Sequence, residues 1–296
     1  MIRPILLALA ALLLPGAVMA ADPPRPLLTW SDLKSRPRPT PTETLTYGSD
    51  PLQKVDLWLP EGKSPRPVAI MVHGGCWQSD IADRTLMDWI ADDLRRHGVA
   101  VWNIDYRGVD RAGGGYPGTF QDVTAAADLL RKEAARYDLD LSHVVAIGHS
   151  AGGHLALWLA ARAKLPRTSP LWTADPLPIT RAISLGGLPD LAATETSPDN
   201  GCGTPVVARL TGDHADRFAD TSIPPLLPLG VAQDLVNGRE DRIIPYRFAT
   251  DYVAQARKAG DSVTLHTVPA TGHVELIAPD SAAWRVARQI VLDALR

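Results

Sequence analysis

Short apolar segments of strand length alternate with helical segments along most of this chain. The segments typical of strands are 44–47, 55–59, 68–72, 99–104, 144–147, 182–185, 227–235 and 263–268. Segments with apolar residues at helical spacing lie between most of the later ones, at 85–97, 120–137, 154–163, 246–259 and 282–295. Parallel strands need a crossover connection, so this alternation predicts an α/β fold: a mostly parallel, twisted sheet of about eight strands with helices on both faces. The first two strands have no helix between them, and we expect them to pair antiparallel at one edge.

Residues 1–20 have the pattern of a secretory signal peptide. A positive charge at Arg3 precedes an apolar stretch, residues 5–14, and small residues surround Ala20. The stretch is shorter than the roughly 20 residues that a membrane-spanning helix needs. We therefore expect cleavage after Ala20 or Ala21, a mature protein in a periplasm or outside the cell, and no stable membrane anchor.

The rest of the chain divides into two regions of different composition. Residues 21–41 contain many prolines and few aliphatic side chains, which predicts an extended linker. Residues 42–296 carry the strand and helix pattern and are interpreted as one catalytic domain. Within it, residues 188–225 form a long irregular stretch, which we interpret as a cap or a substrate loop.

Charge and cysteine content limit the partners and the covalent links. The formal net charge of −3, with acidic and basic residues mixed along the 296-residue chain, gives no basic face, so we expect no nucleic-acid partner. The two cysteines, Cys76 and Cys202, form either a disulfide or two free thiols in an oxidising compartment. The sequence favours neither alternative, and no feature of it predicts an oligomeric state.

A candidate nucleophile lies between the fifth predicted strand and the following helix. The segment Gly148-x-Ser150-x-Gly152 is typical of a tight strand-to-helix turn, where side chains two residues from the serine would collide. The turn also puts Ser150 at a helix N-terminus, where backbone N–H groups favour a developing anion.

A serine hydroxyl needs a base to accept its proton, and the base needs an acid to orient it. Among eight histidines, His273 follows the last strand, so its loop opens at the same sheet edge as the serine. His149 and His154 flank Ser150; we expect them to point away from it as structural residues. Because they are five positions apart, they do not share a helix face as a metal-binding pair would, and no metal site is predicted.

The acid is expected after the strand that precedes the base. Glu240 and Asp241 both follow the strand segment that ends near residue 235. The spacing Gly238-x-x-Asp241 favours Asp241, with Glu240 as the alternative. The resulting order along the chain is serine, aspartate, histidine. This order is expected of a fold whose nucleophile lies on a strand-to-helix turn, and it differs from both common protease orders.

The segment after the third strand supplies candidate donors for an oxyanion. Its glycines let the backbone approach a ligand, so we expect the N–H groups of Gly75 and Cys76, together with that of Ala151, to form an oxyanion hole. Gly74 and Trp77 are candidate substrate-binding residues, although Trp77 suits a core position equally well.

Four motifs in order resemble those of the α/β-hydrolase esterase/lipase group, in the branch with kynurenine formamidase-like and carboxylesterase-like proteins. They are His73-Gly-Gly-Cys-Trp, Gly148-His-Ser-Ala-Gly-Gly-His, Gly238-x-x-Asp241 and Gly272-His273. The resemblance implies an α/β-hydrolase fold and cofactor-free hydrolysis of a small-molecule ester or activated amide. It also implies that Ser150, Asp241 and His273 act as a catalytic triad.

The chain departs from that group at two places. Cys76 stands where a third glycine is frequent, and the signal peptide argues against the intracellular formamidase role. We therefore expect a secreted carboxylesterase that forms an acyl-enzyme on Ser150. The alternatives are an amidase or formamidase, and a catalytically silent scaffold that binds a ligand.

Overall fold

The computed structural model describes residues 26–62 and 64–296. The predicted signal peptide, residues 1–20, and the first residues of the predicted linker lie outside this part of the chain. Within it, no helix is both long and apolar enough to cross a membrane.

Eight strands form one sheet in the order β1-β2-β4-β3-β5-β6-β7-β8. They are β1 (Glu43–Thr46), β2 (Lys54–Trp58), β3 (Arg66–Val72), β4 (Ala100–Ile104), β5 (Leu139–His149), β6 (Arg181–Leu185), β7 (Ala232–Gly238) and β8 (Val263–Val268). The β1 strand pairs antiparallel with β2, and β2 antiparallel with β4, while every other pair is parallel. The predicted mostly parallel sheet is confirmed.

Helices cover both faces of this sheet. They are α1 (Trp30–Lys34), α2 (Asp88–Arg96), α3 (Gly118–Tyr137), α4 (Ala151–Ala161), α5 (Leu191–Thr196), α6 (Thr204–Thr211), α7 (Arg247–Lys258) and α8 (Ala282–Ala294). Successive side chains of a strand point to opposite faces, so Ile70 of β3 packs in the core beneath α3, α4 and α7, whereas Met71 packs beneath α2 and α8. Burial on both faces explains the continuous apolar runs of the central strands.

The chain before β1 packs against the domain and differs from the extended linker expected for 21–41. A capping box between Thr29 and Asp32 starts α1, and Leu33 is fully buried on the α2 and α8 side of the sheet. The carbonyl of Pro37 accepts a hydrogen bond from the Trp89 indole at 3.1 Å. Several separate contacts therefore hold this segment on the surface of the domain.

The segment 188–225 contains two helices and is less irregular than expected. Both α5 and α6 lie within it, and a disulfide joins Cys202 to Cys76, with 5.3 Å between the Cα atoms. Of the two alternatives left open by the sequence, the structure shows the disulfide. The bond attaches this segment to the loop that follows β3.

Candidate active site

Ser150 occupies the sharp turn between β5 and α4. Its backbone has a φ of 55°, a left-handed conformation that non-glycine residues rarely adopt. A Cβ on Gly148 would lie 2.0 Å from the carbonyl oxygen of Gly152, and a Cβ on Gly152 would lie 2.2 Å from that of Val72. Both glycines are therefore required by the close approach of backbone segments, and they hold the serine at the carboxyl edge of the sheet.

His273 and Asp241 meet at the same edge. The imidazole Nδ1 donates to the Asp241 carboxylate at 2.7 Å, and both side chains are almost fully buried. The second carboxylate oxygen accepts the N–H groups of Ile243 at 2.8 Å and Ile244 at 2.9 Å. These bonds fix the carboxylate, and they leave Nε2 as the imidazole atom that can accept a proton.

The structure brings Ser150 and His273 together in one cavity of about 330 Å³. Its wall is formed mainly by apolar side chains and glycines. The lining residues are Trp30, Lys34, Gly75, Cys76, Ile81, Ala82, Leu86, His149, Ser150, Gly201, Ile243 and His273. Such a cavity suits a small molecule with an apolar portion near the serine.

The loop after β3 presents backbone donors beside the serine. Gly75 and Cys76 have φ values of 105° and 54°, and both line the cavity. Within residues 26–62 and 64–296, no backbone carbonyl accepts the N–H of either residue. Ala151 is the first residue of α4, so its N–H has no partner within the helix. All three predicted oxyanion donors are therefore available near Ser150.

Charged and aromatic neighbours fix this loop from behind. Both ring nitrogens of His73 lie at hydrogen-bond distance from buried oxygens: Nδ1 is 2.6 Å from the Gly74 carbonyl, and Nε2 is 2.9 Å from the Asp105 carboxylate. Arg84 bridges Asp105, at 3.0 Å, and Asp56, at 2.7 Å. These groups are mostly buried and mutually paired, so they hold the loop in place and leave the cavity free of their charges.

Gly74 and Trp77, the predicted substrate-binding residues, do not line the cavity. A Cβ on Gly74 would lie 3.0 Å from the Cβ of Ser150, so this glycine lets the loop pack against the nucleophile turn. Trp77 is fully buried in the core, where its ring meets His154 edge-on at 5.6 Å. We reassign both residues to packing, because no surface of the tryptophan remains for a substrate.

The two histidines that flank Ser150 differ from each other. His154 is buried, donates to the Thr221 carbonyl at 2.7 Å, and has a pKa that burial lowers to about 4. His149, expected to point away from the serine, instead lines the cavity, with its ring 4.4 Å from that of His273. It donates from Nε2 to the His273 carbonyl at 3.1 Å. Burial and the neighbouring His273 keep the pKa of His149 well below its ordinary value, so this imidazole is neutral and supports the loop of His273.

The alternative acid is directed elsewhere. Glu240 is exposed, and its carboxylate accepts the N–H of Thr271 at 3.2 Å. Of the two neighbouring carboxylates, Asp241 is the one that hydrogen-bonds to His273.

Sequence reasoning missed the contribution of α1. Trp30 and Lys34 both line the cavity, and the Trp30 ring packs edge-on against His149 at 6.1 Å and His273 at 6.2 Å. The signal was present as Thr29-x-x-Asp32, a capping pattern that starts a helix with apolar residues inside it. The surrounding prolines favoured the linker interpretation instead.

A single carboxylate links this N-terminal segment to the loop of His273. One oxygen of Glu275 accepts the N–H of Leu28, and the other accepts the N–H of Gly272 at 3.0 Å. Gly272 directly precedes His273, so the wall formed by α1 and the histidine loop share one anchor. Within the described part of the chain, no group of three His, Cys, Asp or Glu side chains is arranged to hold a metal ion.

Comparisons with known proteins agree with this architecture. The esterase LipC of Mycobacterium tuberculosis is 27% identical over 251 residues, an alignment that covers 77% of this chain and 58% of LipC. The chain thus spans less than two thirds of the length of that relative. A truncated carbohydrate esterase from gut microbiota superimposes with a TM-score of 0.70 at 22% identity, over 86% of this chain and 97% of the other. Esterase B from Lactobacillus rhamnosis gives 0.73 at 20% identity, over 87% and 88%.

At these identities the two structures show the fold, which is that of the α/β-hydrolases. The BD-FAE family model matches residues 55–217, more than half of the chain, and this range includes the loop after β3 and the turn that carries Ser150. The chain is an α/β-hydrolase of the esterase/lipase group and belongs to the BD-FAE family.

Proposed function

We propose that this protein is a secreted serine hydrolase that cleaves carboxylic esters through an acyl-enzyme on Ser150. The observation that carries the proposal is the hydrogen bond of 2.7 Å between His273 and the buried Asp241, at the cavity that Ser150 also lines. Proteins named esterases among the relatives support the reaction class.

The residues of the cavity suit each step of ester hydrolysis. His273 accepts the Ser150 proton while the serine oxygen bonds to the ester carbonyl carbon, and the carbonyl oxygen becomes an oxyanion. The N–H groups of Gly75, Cys76 and Ala151 stabilise that charge. The carbon–oxygen bond to the alcohol then breaks, and His273 returns the proton to the departing alcohol.

Water then hydrolyses the acyl-enzyme through the same kind of proton transfers. His273 accepts a proton from water as the water oxygen attacks the acyl carbon, and a second oxyanion forms at the same donors. Its collapse breaks the bond to the serine oxygen, which recovers a proton from His273, and the carboxylic acid leaves. The carboxylate of Asp241 holds the imidazole in the tautomer that both halves of the reaction need.

The test uses the purified protein and the variant Ser150→Ala. Hydrolysis of 4-nitrophenyl esters with short and long acyl chains is measured beside that of an N-formyl aryl amide. We expect turnover of the esters, and a fall of at least about 10³-fold for Ser150→Ala, as when a triad member is lost in other serine hydrolases. Faster cleavage of the formyl amide than of any ester would favour the amidase alternative.

Labelling separates an enzyme from a silent scaffold. A fluorophosphonate probe is expected to modify Ser150 in the wild-type protein, with the modified peptide identified by mass spectrometry. Ser150→Ala provides the matched control and should remain unlabelled. Absence of labelling and turnover in a folded wild-type protein would refute the serine mechanism.

Secretion is tested by the processing of the full chain. We expect the protein from a periplasmic or culture fraction to begin after Ala20 or Ala21, as read by N-terminal sequencing. Retention of the complete chain in the cytoplasm would contradict this part of the proposal.

A further inference from the structure

Among the described residues that line the cavity beside Ser150, Lys34 of α1 is the one lysine or arginine. The other lining residues are apolar residues, glycines, the serine, the disulfide-bonded cysteine and two histidines. Throughout residues 26–62 and 64–296, no carboxylate lies within 4.0 Å of the Lys34 ammonium. A positive charge therefore faces the cavity without a partner from the described part of the protein.

The cavity continues outward along α1. A neighbouring cavity of about 280 Å³ shares Lys34, Ile81, Ala82 and Leu86 with the first, and we call the two adjacent cavities the trough. Its outer wall adds Arg38, which stacks over the ring of Trp89 at 5.3 Å. The trough is thus apolar along Ile81 and Leu86 and basic along α1 and the residues that follow it.

In the described residues, the acidic groups around this trough form no ion pair with Lys34 or Arg38. Asp83 lines the outer part, where its carboxylate accepts the N–H of Thr85 at 2.8 Å and the hydroxyl of the same residue at 2.5 Å, and it adds one negative charge there against the two positive charges of Lys34 and Arg38. Burial, together with the neighbouring Asp56, raises the pKa of Asp88 to about 8, so this carboxyl is mostly protonated at neutral pH. No ion pair joins Arg38 to a carboxylate in the described residues.

We propose that Lys34 makes this hydrolase selective for esters that carry a carboxylate beyond an apolar segment. The scissile ester lies at Ser150, the apolar segment lies along Ile81 and Leu86, and the carboxylate pairs with the Lys34 ammonium. Arg38 adds a second positive charge farther out. The inference rests on the proposed function, since it names the substrate class of the same site.

The expected preference follows from the exposure of Lys34. An ion pair between solvent-exposed groups contributes modestly, so we expect the carboxylate to raise kcat/KM by about two- to fivefold. Salt screens such a pair, and the preference should shrink as ionic strength rises. A preference that came from shape alone would not depend on salt.

The experiment compares substrates that differ in one charge. On the acyl side, the mono-4-nitrophenyl esters of adipic and sebacic acid are paired with the same compounds bearing a methylated second carboxyl. On the alcohol side, 4-carboxyphenyl acetate is paired with its methyl ester. The ratio of kcat/KM within each pair is measured at low and high ionic strength for the wild-type protein, Lys34→Met and Lys34→Glu. Lys132→Met, an exposed lysine on α3, is the matched control.

We expect the wild-type protein and Lys132→Met to prefer the charged member of at least one pair. In Lys34→Met the ratio should fall to about one, and in Lys34→Glu it should fall below one. Equal ratios in the wild-type protein and Lys34→Met for every pair would overturn the inference. If neutral esters are still hydrolysed and Ser150 is still labelled in that case, the proposed function stands without it; if neither occurs, both fail.

Discussion

The role of Asp241 gives the sharpest test of the site, through the variant Asp241→Asn. One carboxylate oxygen accepts two backbone N–H groups, at 2.8 and 2.9 Å, and the other accepts the Nδ1–H of His273 at 2.7 Å. An asparagine keeps the two backbone bonds only if its amide oxygen stays in place, which turns its NH₂ group toward His273. The imidazole must then accept at Nδ1 and carry its proton on Nε2. In that tautomer it cannot accept the proton of Ser150.

The expected loss is therefore that of a wrong tautomer, about 10⁴-fold in kcat. This corresponds to about 5.5 kcal/mol in activation free energy, at about 1.4 kcal/mol for each tenfold change. The assay is steady-state hydrolysis of a 4-nitrophenyl ester, with thermal unfolding to verify that the variant is folded.

The matched control is Glu240→Gln, one position earlier. Its carboxylate contacts the Thr271 N–H and does not reach the imidazole, so we expect turnover within a few fold of wild type. A folded Asp241→Asn variant that keeps more than a tenth of wild-type kcat would refute the assignment. So would a large loss in Glu240→Gln alone, which would identify the other carboxylate as the acid.

Four further predictions follow from other contacts. Replacing both Cys76 and Cys202 by serine opens a link across 126 residues and should lower the free energy of unfolding by about 2–5 kcal/mol, measured with denaturant. Trp30→Ala should lower kcat/KM about tenfold through loss of apolar contact, with fluorophosphonate labelling retained; unchanged kinetics would contradict its place in the wall. Burial raises the pKa of Asp88 from 3.8 to about 8, so folding takes up a proton between these pH values and the free energy of unfolding falls as pH rises through that window. Asp88→Asn should reduce the dependence of the unfolding free energy on pH by up to about 1.4 kcal/mol per pH unit. An unchanged pH dependence would contradict this prediction. In Glu275→Gln one acceptor oxygen remains for two N–H groups, so the variant should lose about 1–3 kcal/mol of unfolding free energy and have a higher KM. If neither quantity changes, the contacts of Glu275 are not needed to hold the two segments.

Local sequence patterns predicted the elements of the fold but placed some of their ends differently. The strand expected over 227–235 begins at Ala232 in β7, because Pro228 has no N–H for a ladder bond and Gly230 has a φ of 73°. The strand expected from Val144 begins instead at Leu139, where the register of its pairing with β3 shifts near Pro67. Proline, glycine and strand irregularities thus account for these differences.

The three predicted triad residues could be identified in the sequence because each one follows a predicted strand. Parallel strands bring their carboxyl ends to one edge, so the loops of Ser150, Asp241 and His273 had to open on the same side. The orientation of His149 and the place of Trp30 depend on contacts between segments that are distant along the chain. No local pattern specifies such contacts, so neither feature could be predicted from the sequence.

The site is therefore built from two parts, the loops at the strand ends and the wall formed by α1, which differ in how well they tolerate substitution. The groups proposed to react lie on loops at strand ends, where glycines such as Gly148 and Gly152 allow no added side chain unless the backbone moves. The wall formed by α1 is held by separate, weaker contacts, such as the partly exposed ion pair of Arg36 with Asp280 at 2.6 Å, which contributes little. We consequently expect substitutions on α1 to alter substrate choice while the geometry around the serine is preserved. Glu275 lies outside α1, and its two oxygens hold both the segment that begins α1 and the loop of His273. A substitution of Glu275 should therefore affect the wall and the histidine loop together.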